Sequence, residues 1–115
     1  LITNQLAAKE LYVAKYYITT QKWIPAINRL KVIVAEYSET IFIEEALHRL
    51  VEIYYRIGLI EEANLAAGIL GYNYNSSEWY AQSYKLLNKT YKIQKKEVQR
   101  KNDGLIKRTI KKILN

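Results

Sequence analysis

The chain has no cysteine and no methionine, and a single proline and a single histidine among its 115 residues. Without cysteine there is neither a disulfide nor a thiolate metal site. The one histidine, His48, and the one aspartate, Asp103, leave almost no material for a metal centre or a nucleophilic triad. Glycine is scarce as well, and no glycine-rich phosphate loop occurs. No run of 18 or more apolar residues is present, so no segment reads as a membrane-spanning helix. The first residues lack the basic start and apolar stretch of a secretory signal. Leu1 is not a translation start, and the expectation is a piece of a longer polypeptide whose upstream portion carries any address or lipid signal.

What is there is globular in character: 50% of the residues are apolar and 25% charged. The length suits one domain that buries roughly 65% of its unfolded surface. Eleven tyrosines read as large core pieces whose hydroxyls reach the edge of the packing. The net charge of +7 hides a division. Residues 1–88 hold eight Lys/Arg and nine Asp/Glu, a balance of −1, whereas residues 89–115 hold ten Lys/Arg against Glu97 and Asp103, a balance of +8.

Tyr17 and Ala26 recur, with their surroundings, as Tyr54 and Ala63, 37 positions later. Each pair spans the end of one helix, a turn and the opening of the next. A period of this size with two helices per unit marks a helical repeat array, whose units need stacked neighbours to bury their apolar faces. Helix one is expected over about residues 3–20, with Leu6, Val13, Ala14 and Tyr17 on its buried face. Helix two opens around Trp23 with Pro25 in its first turn and runs to about Tyr37. Thr40 is the expected cap of helix three, about residues 41–57, which buries Ala46, Leu47, Leu50, Val51 and Tyr54. Gly58 supplies a left-handed helix end. Helix four, about residues 60–70, is expected to stop at Gly71, with Tyr72–Ser77 a loop and Asn75–Ser77 offering caps. Helix five, from about Glu78, carries Trp79, Tyr80, Tyr84 and Leu87 as a lid over the last repeat. Beyond Asn88 the apolar residues thin to Tyr91, Ile93 and Val98, which are expected outside the core. Asn102-Asp103-Gly104 is a turn signal, followed by a short amphipathic helix over residues 105–114.

The pattern resembles the tetratricopeptide repeat, in two copies at about 7–40 and 44–77. Gln21 stands where that repeat has its first turn glycine, and Ser38 and Asn75 stand where it usually has proline. A closer resemblance, over about Gln5–Leu87, is to the BamD/ComL family, the tetratricopeptide lipoproteins of the bacterial β-barrel assembly machinery. It is carried by YVAKYY (residues 12–17), by Trp23, Ala26, Asn28 and Arg29 with Pro25 in the run, and by the closing SEWY (residues 77–80). The resemblance implies an all-α tetratricopeptide solenoid of two repeats and a closing helix; the basic C-terminal extension lies outside it. The domain limits are 1–88 for the repeats and 89–115 for the extension. It further implies a lipid-anchored protein on the periplasmic face of the cell outer membrane. Its expected partners are the barrel subunit BamA and other lipoproteins of the machinery, with unfolded outer-membrane proteins received by the missing half.

Three sets of residues are candidates for function. Arg29, beside Asn28, precedes the buried Leu30, so its guanidinium should leave the core; the resemblance implies that it meets a carboxylate of the barrel subunit. A planar fork suits that task, while the alternative is an arginine covering its own helix. Tyr12, Lys15, Thr19, His48, Arg49, Glu52, Tyr55 and Arg56 are expected on the concave face of the first helices. There they either hold an acidic or C-terminal peptide or form a solvated polar face. In the tail, Lys107, Arg108, Lys111 and Lys112 oppose an Ile/Leu face. That helix lies on an anionic membrane, docks on a protein or binds nucleic acid, or else is a solvated tail; the resemblance speaks against nucleic acid. Glu44, Glu45, Glu61 and Glu62 sit in helix first turns, where the helix dipole accounts for them. No enzyme activity, cofactor or metal is expected. The leading reading is a partner-binding part of a barrel-assembly factor; the alternative is a stand-alone adaptor that holds peptides in its groove.

Overall fold

The computed structural model of the chain describes residues 2–74 and 77–114, and of residues 90–98 the backbone only. Its helices are α1 (Ile2–Thr19), α2 (Trp23–Glu36), α3 (Ile43–Arg56), α4 (Ile60–Tyr74) and α5 (Glu78–Leu114). Among the described residues there is no strand. The all-α helical-repeat class expected from the sequence is what the chain adopts. It divides into two compact units, Leu1–Tyr84 and Lys85–Asn115.

In the first unit α1 packs on α2, α2 on α3 and α3 on α4. The 37-residue period is visible in the backbone itself. The Lys22 N–H donates to the Tyr17 carbonyl at 2.8 Å, and the Leu59 N–H to the Tyr54 carbonyl at 2.8 Å. Inside each of these, Gln21 donates to Ile18 and Gly58 to Tyr55. This nested pair is the Schellman ending, which requires a left-handed residue at its corner; Gln21 (φ 60°) and Gly58 (φ 88°) supply it. The bond opening the second helix of each pair also repeats, Ala26 to Lys22 and Ala63 to Leu59. Tyr17 and Tyr54 therefore hold equivalent places, and Ala26 and Ala63 are both fully buried behind them.

Burial follows the small residues. Ala7, Leu11 and Ala14 form the covered face of α1, and Ala63, Ala66, Ala67 and Leu70 that of α4. Leu6, expected on the buried face, is instead exposed. The buried face of α1 runs through Ala7, Leu11 and Ala14, and Leu6 lies one position off it. On α3 the expected residues are buried, and Leu30 and Ile33 of α2 are, with Leu47 and Val51 of α3, almost wholly enclosed. Each large aliphatic side chain stabilises the stack by about 1.5–3 kcal/mol.

Three expectations about helix ends need correction. Gly71 does not stop α4, which runs on to Tyr74 and takes in residues expected to be loop. A Cβ at Gly71 would stand 2.6 Å from Cε2 of Tyr80. The glycine is there to let the start of α5 come close, not to end a helix. Thr40 does not cap α3: the helix begins at Ile43 without a side-chain cap bond, and the buried Thr40 hydroxyl donates to the Tyr37 carbonyl at 2.7 Å. Ser77 does cap α5, its Oγ accepting from the Tyr80 N–H at 3.0 Å; Asn75 and Ser76 lie outside the described residues.

In the second unit, the expected turn at Asn102–Gly104 and the separate helix after it are absent, because α5 continues unbroken to Leu114. One glycine in a helix costs only about 1 kcal/mol relative to alanine. The residues around it favour helix, and Gln99 Nε2 donates to Asp103 Oδ1 one turn on, at 3.3 Å. The side chains of Tyr91, Ile93 and Val98 fall outside the described residues.

Candidate functional site

The first helices of the repeats, α1 and α3, and the start of α5 bring their polar side chains into one network. Lys15 on α1 reaches Glu45 on α3, Nζ to Oε2, at 2.6 Å. Arg49 donates from Nε to the same Glu45 oxygen at 3.3 Å and from Nη1 to Glu52 Oε1 at 3.1 Å. Glu52 Oε1 also meets His48 Nε2 at 2.9 Å, and His48 Nδ1 lies 2.7 Å from Ser83 Oγ. In a neutral ring the proton sits on Nε2, facing the carboxylate, so Nδ1 accepts from the Ser83 hydroxyl. The hydrogen bond from His48, with the Arg49 charge, holds the Glu52 carboxyl below its ordinary range against the opposing effect of burial. Trp79 closes the cluster, its ring 5.2 Å from that of His48 and 5.5 Å from the Arg49 guanidinium.

Hydroxyl, imidazole and carboxylate in a row also make up a nucleophilic triad. Ser83, however, is fully buried, so no substrate reaches its oxygen in this arrangement. The three residues tie α3 to the start of α5. Ser83 comes 37 residues after the equally buried Ala46. By sequence offset the start of α5 corresponds to the first helix of a third repeat.

His48 was expected on an exposed groove face and is instead 5% exposed. Ser83 and Trp79 cover it, and helical spacing within α3 alone does not reveal a lid supplied from α5. Of the other groove candidates, Lys15, Arg49 and Glu52 come together as described, and Tyr12 stands exposed on α1. Tyr55 is half-buried and Thr19 exposed, its hydroxyl donating to the Lys15 carbonyl. Arg56 is not part of the network: its guanidinium lies 5.2 Å from the Trp23 ring, joining the end of α3 to the start of α2. The sequence reading gives Glu10 and Ser83 no role and gives Glu45 only its place in a helix first turn. Only Ser83 left a signal, through its offset from Ala46.

Arg29 leaves the core as expected and meets Glu10 of α1, with Nη1 3.3 and 3.1 Å from the two carboxylate oxygens. Its side chain is 45% exposed, and neighbouring Asn28 is exposed. Lys107, Arg108, Lys111 and Lys112 are exposed on the last part of α5, in the second unit. Among the described residues no group of three potential metal-binding side chains converges.

A family model described as "YfiO: Outer membrane lipoprotein" matches residues 1–68, which are α1 to α3 and the first part of α4. The chain belongs to this family. It is 40% identical over 88 residues, 76% of its length, to "Outer membrane protein assembly factor BamD" of Caulobacter vibrioides. It is 39% identical over 87 residues, again 76% of its length, to the protein of the same name from Rickettsia prowazekii. The matches cover 29% and 35% of those relatives, so the chain spans about a third of their length. No solved structure matches it significantly. The family resemblance first read from YVAKYY, the Trp23–Arg29 run and SEWY therefore holds.

Proposed function

We propose that this chain is the partner-binding part of an outer-membrane protein assembly factor of the BamD kind. In this reading it docks the periplasmic domains of the barrel subunit BamA and, with other lipoproteins of the machinery, helps to fold and insert β-barrel proteins. It works by binding, without catalysis, at the periplasmic face of the outer membrane. The observation that carries the reading is the 40% and 39% identity to two relatives named as assembly factors.

Asn28 and Arg29 are the proposed contact. Glu10 engages Nη1 of Arg29 alone, and neither Nη2 nor Nε has a partner among the described residues. The arginine is thus steadied on one side and keeps a free edge for a carboxylate of the partner, which a guanidinium binds through two parallel hydrogen bonds. The alternative, an adaptor that grips peptides in its groove, has less support. Lys15 and Arg49, the cations it needs, are already paired with Glu45 and Glu52. A pull-down of the BamA periplasmic domains on the full chain tests the proposal. Retention is the expected result; passage of those domains through a column loaded with folded chain would overturn it.

A further inference from the structure

The end of α5 is an amphipathic surface that neither the groove nor the Arg29 contact uses. Leu105, Ile106, Ile110, Ile113 and Leu114 are each at least half exposed. At 3.6 residues per turn all five lie in one half of the helix, roughly 180° of its circumference, and the cations occupy roughly 140° of the other half. Those cations are Arg100, Lys101, Lys107, Arg108, Lys111 and Lys112, all exposed. From Arg100 to Leu114 the cationic side holds no carboxylate; Asp103, the only acid there, falls at the edge of the apolar half.

We propose that residues 100–114 are a peripheral membrane site for anionic phospholipid, with the aliphatic half seated among acyl chains and the cations at the headgroups. Two observations select a lipid surface over other occupants. Lys107 and Lys111, and Arg108 and Lys112, stand one turn apart, where like charges weaken a helix in water. A protein groove that covered the aliphatic residues would leave those six cations facing one another. Nucleic acid would neutralise the cations but leave five aliphatic side chains in water. An anionic bilayer surface satisfies both halves at once, since amphipathic helices combine apolar burial with attraction to acidic headgroups. No described helix is long and apolar enough to cross a membrane, so this one lies along the surface. The proposal is independent of the partner docking above.

Flotation of the full chain with vesicles tests it, comparing phosphatidylcholine alone with phosphatidylcholine mixed with phosphatidylglycerol. Binding is expected to the mixed vesicles only and to fall as salt rises. The variants I106S/I110S/I113S and K107Q/R108Q/K111Q/K112Q should each weaken it by roughly tenfold or more. The chain has no native cysteine, so I110C and K111C each accept a single environment-sensitive dye. Emission should shift to the blue on vesicles for I110C and stay unchanged for K111C. This second readout stands even if a multiple variant fails to fold. No binding to the mixed vesicles overturns the proposal. So does undiminished binding by the serine variant, or equal dye shifts at both positions. Salt-sensitive capture of duplex DNA with no vesicle binding overturns it in favour of nucleic acid.

Discussion

Gln21 turns a corner that Gly58 turns in the second repeat, with the same pair of hydrogen bonds around it. A side chain in the left-handed region crowds its own backbone by roughly 1–2 kcal/mol. The variant Gln21→Gly should therefore stabilise the chain by roughly 1 kcal/mol, less the greater freedom of glycine in the unfolded chain. A urea melt reads this as a higher midpoint with an unchanged slope. Ser83 is the converse case, a polar group placed where the residue 37 positions earlier, Ala46 of α3, is alanine. Removing its hydroxyl leaves the buried Nδ1 of His48 without a donor, a loss of about 1–3 kcal/mol for Ser83→Ala. Glu52 makes the same cluster sensitive to acid. Its pKa is lowered in the folded chain, first by the hydrogen bond from His48. The stability it contributes is thus complete above the ordinary carboxylate range and lost as pH falls through the lowered folded value. A series of Tm values against pH should show a shallower acid limb for Glu52→Gln than for the parent.

At the scale of helices, close approach decides more than apolar content. Ring atoms of Tyr80 occupy the space that a methyl group at Gly71 would need. Gly71→Ala must push α5 or the Tyr80 ring aside, and overpacking of this kind costs typically 1–3 kcal/mol. Thermal melting should show a fall of several degrees, while Gly68→Ala, with open space around its Cβ position, should not destabilise. The same distinction explains how far the fold was legible beforehand. The repeat, the helices up to the start of α5 and the buried face of α3 could be read because polar and apolar residues alternate there at helical spacing. On α4, Leu65, Ile69 and Tyr72 are exposed on a helix that is apolar nearly all round, so periodicity did not single out its buried face. Gly71 read as a stop because local propensity sees the helix but not the neighbour resting on it. Lys15–Glu45, Arg29–Glu10 and His48–Ser83 join residues 19 to 35 positions apart. No local pattern announces such pairs. For that reason His48 was misplaced in a groove, whereas the emergence of Arg29 from the core, a matter of one position beside Leu30, was foreseen.

At the scale of the whole molecule, charge divides between the repeats and the extension, and the two proposed sites divide with it. The repeats are nearly neutral, and the cations at the candidate sites are engaged by carboxylates: Lys15 with Glu45, Arg49 with Glu45 and Glu52, Arg29 in part with Glu10. The basic extension, residues 89–115, carries ten Lys/Arg against two acids. A stacked repeat of this kind presents surface rather than a pocket, and the proposed partner contact rests on one half-engaged arginine. Calorimetric titration of the BamA periplasmic domains into the parent chain and into Arg29→Leu, with Tm measured on both, tests that contact most directly. An exposed ion pair contributes only about 0.2–1 kcal/mol to folding, so Tm should fall by roughly 1–8 °C at most. Affinity should weaken by roughly tenfold or more, as for the loss of a charge-assisted bond worth about 1.5–3 kcal/mol. Unchanged affinity in the variant, above all with a large fall in Tm, would contradict the account and return Arg29 to a purely structural role.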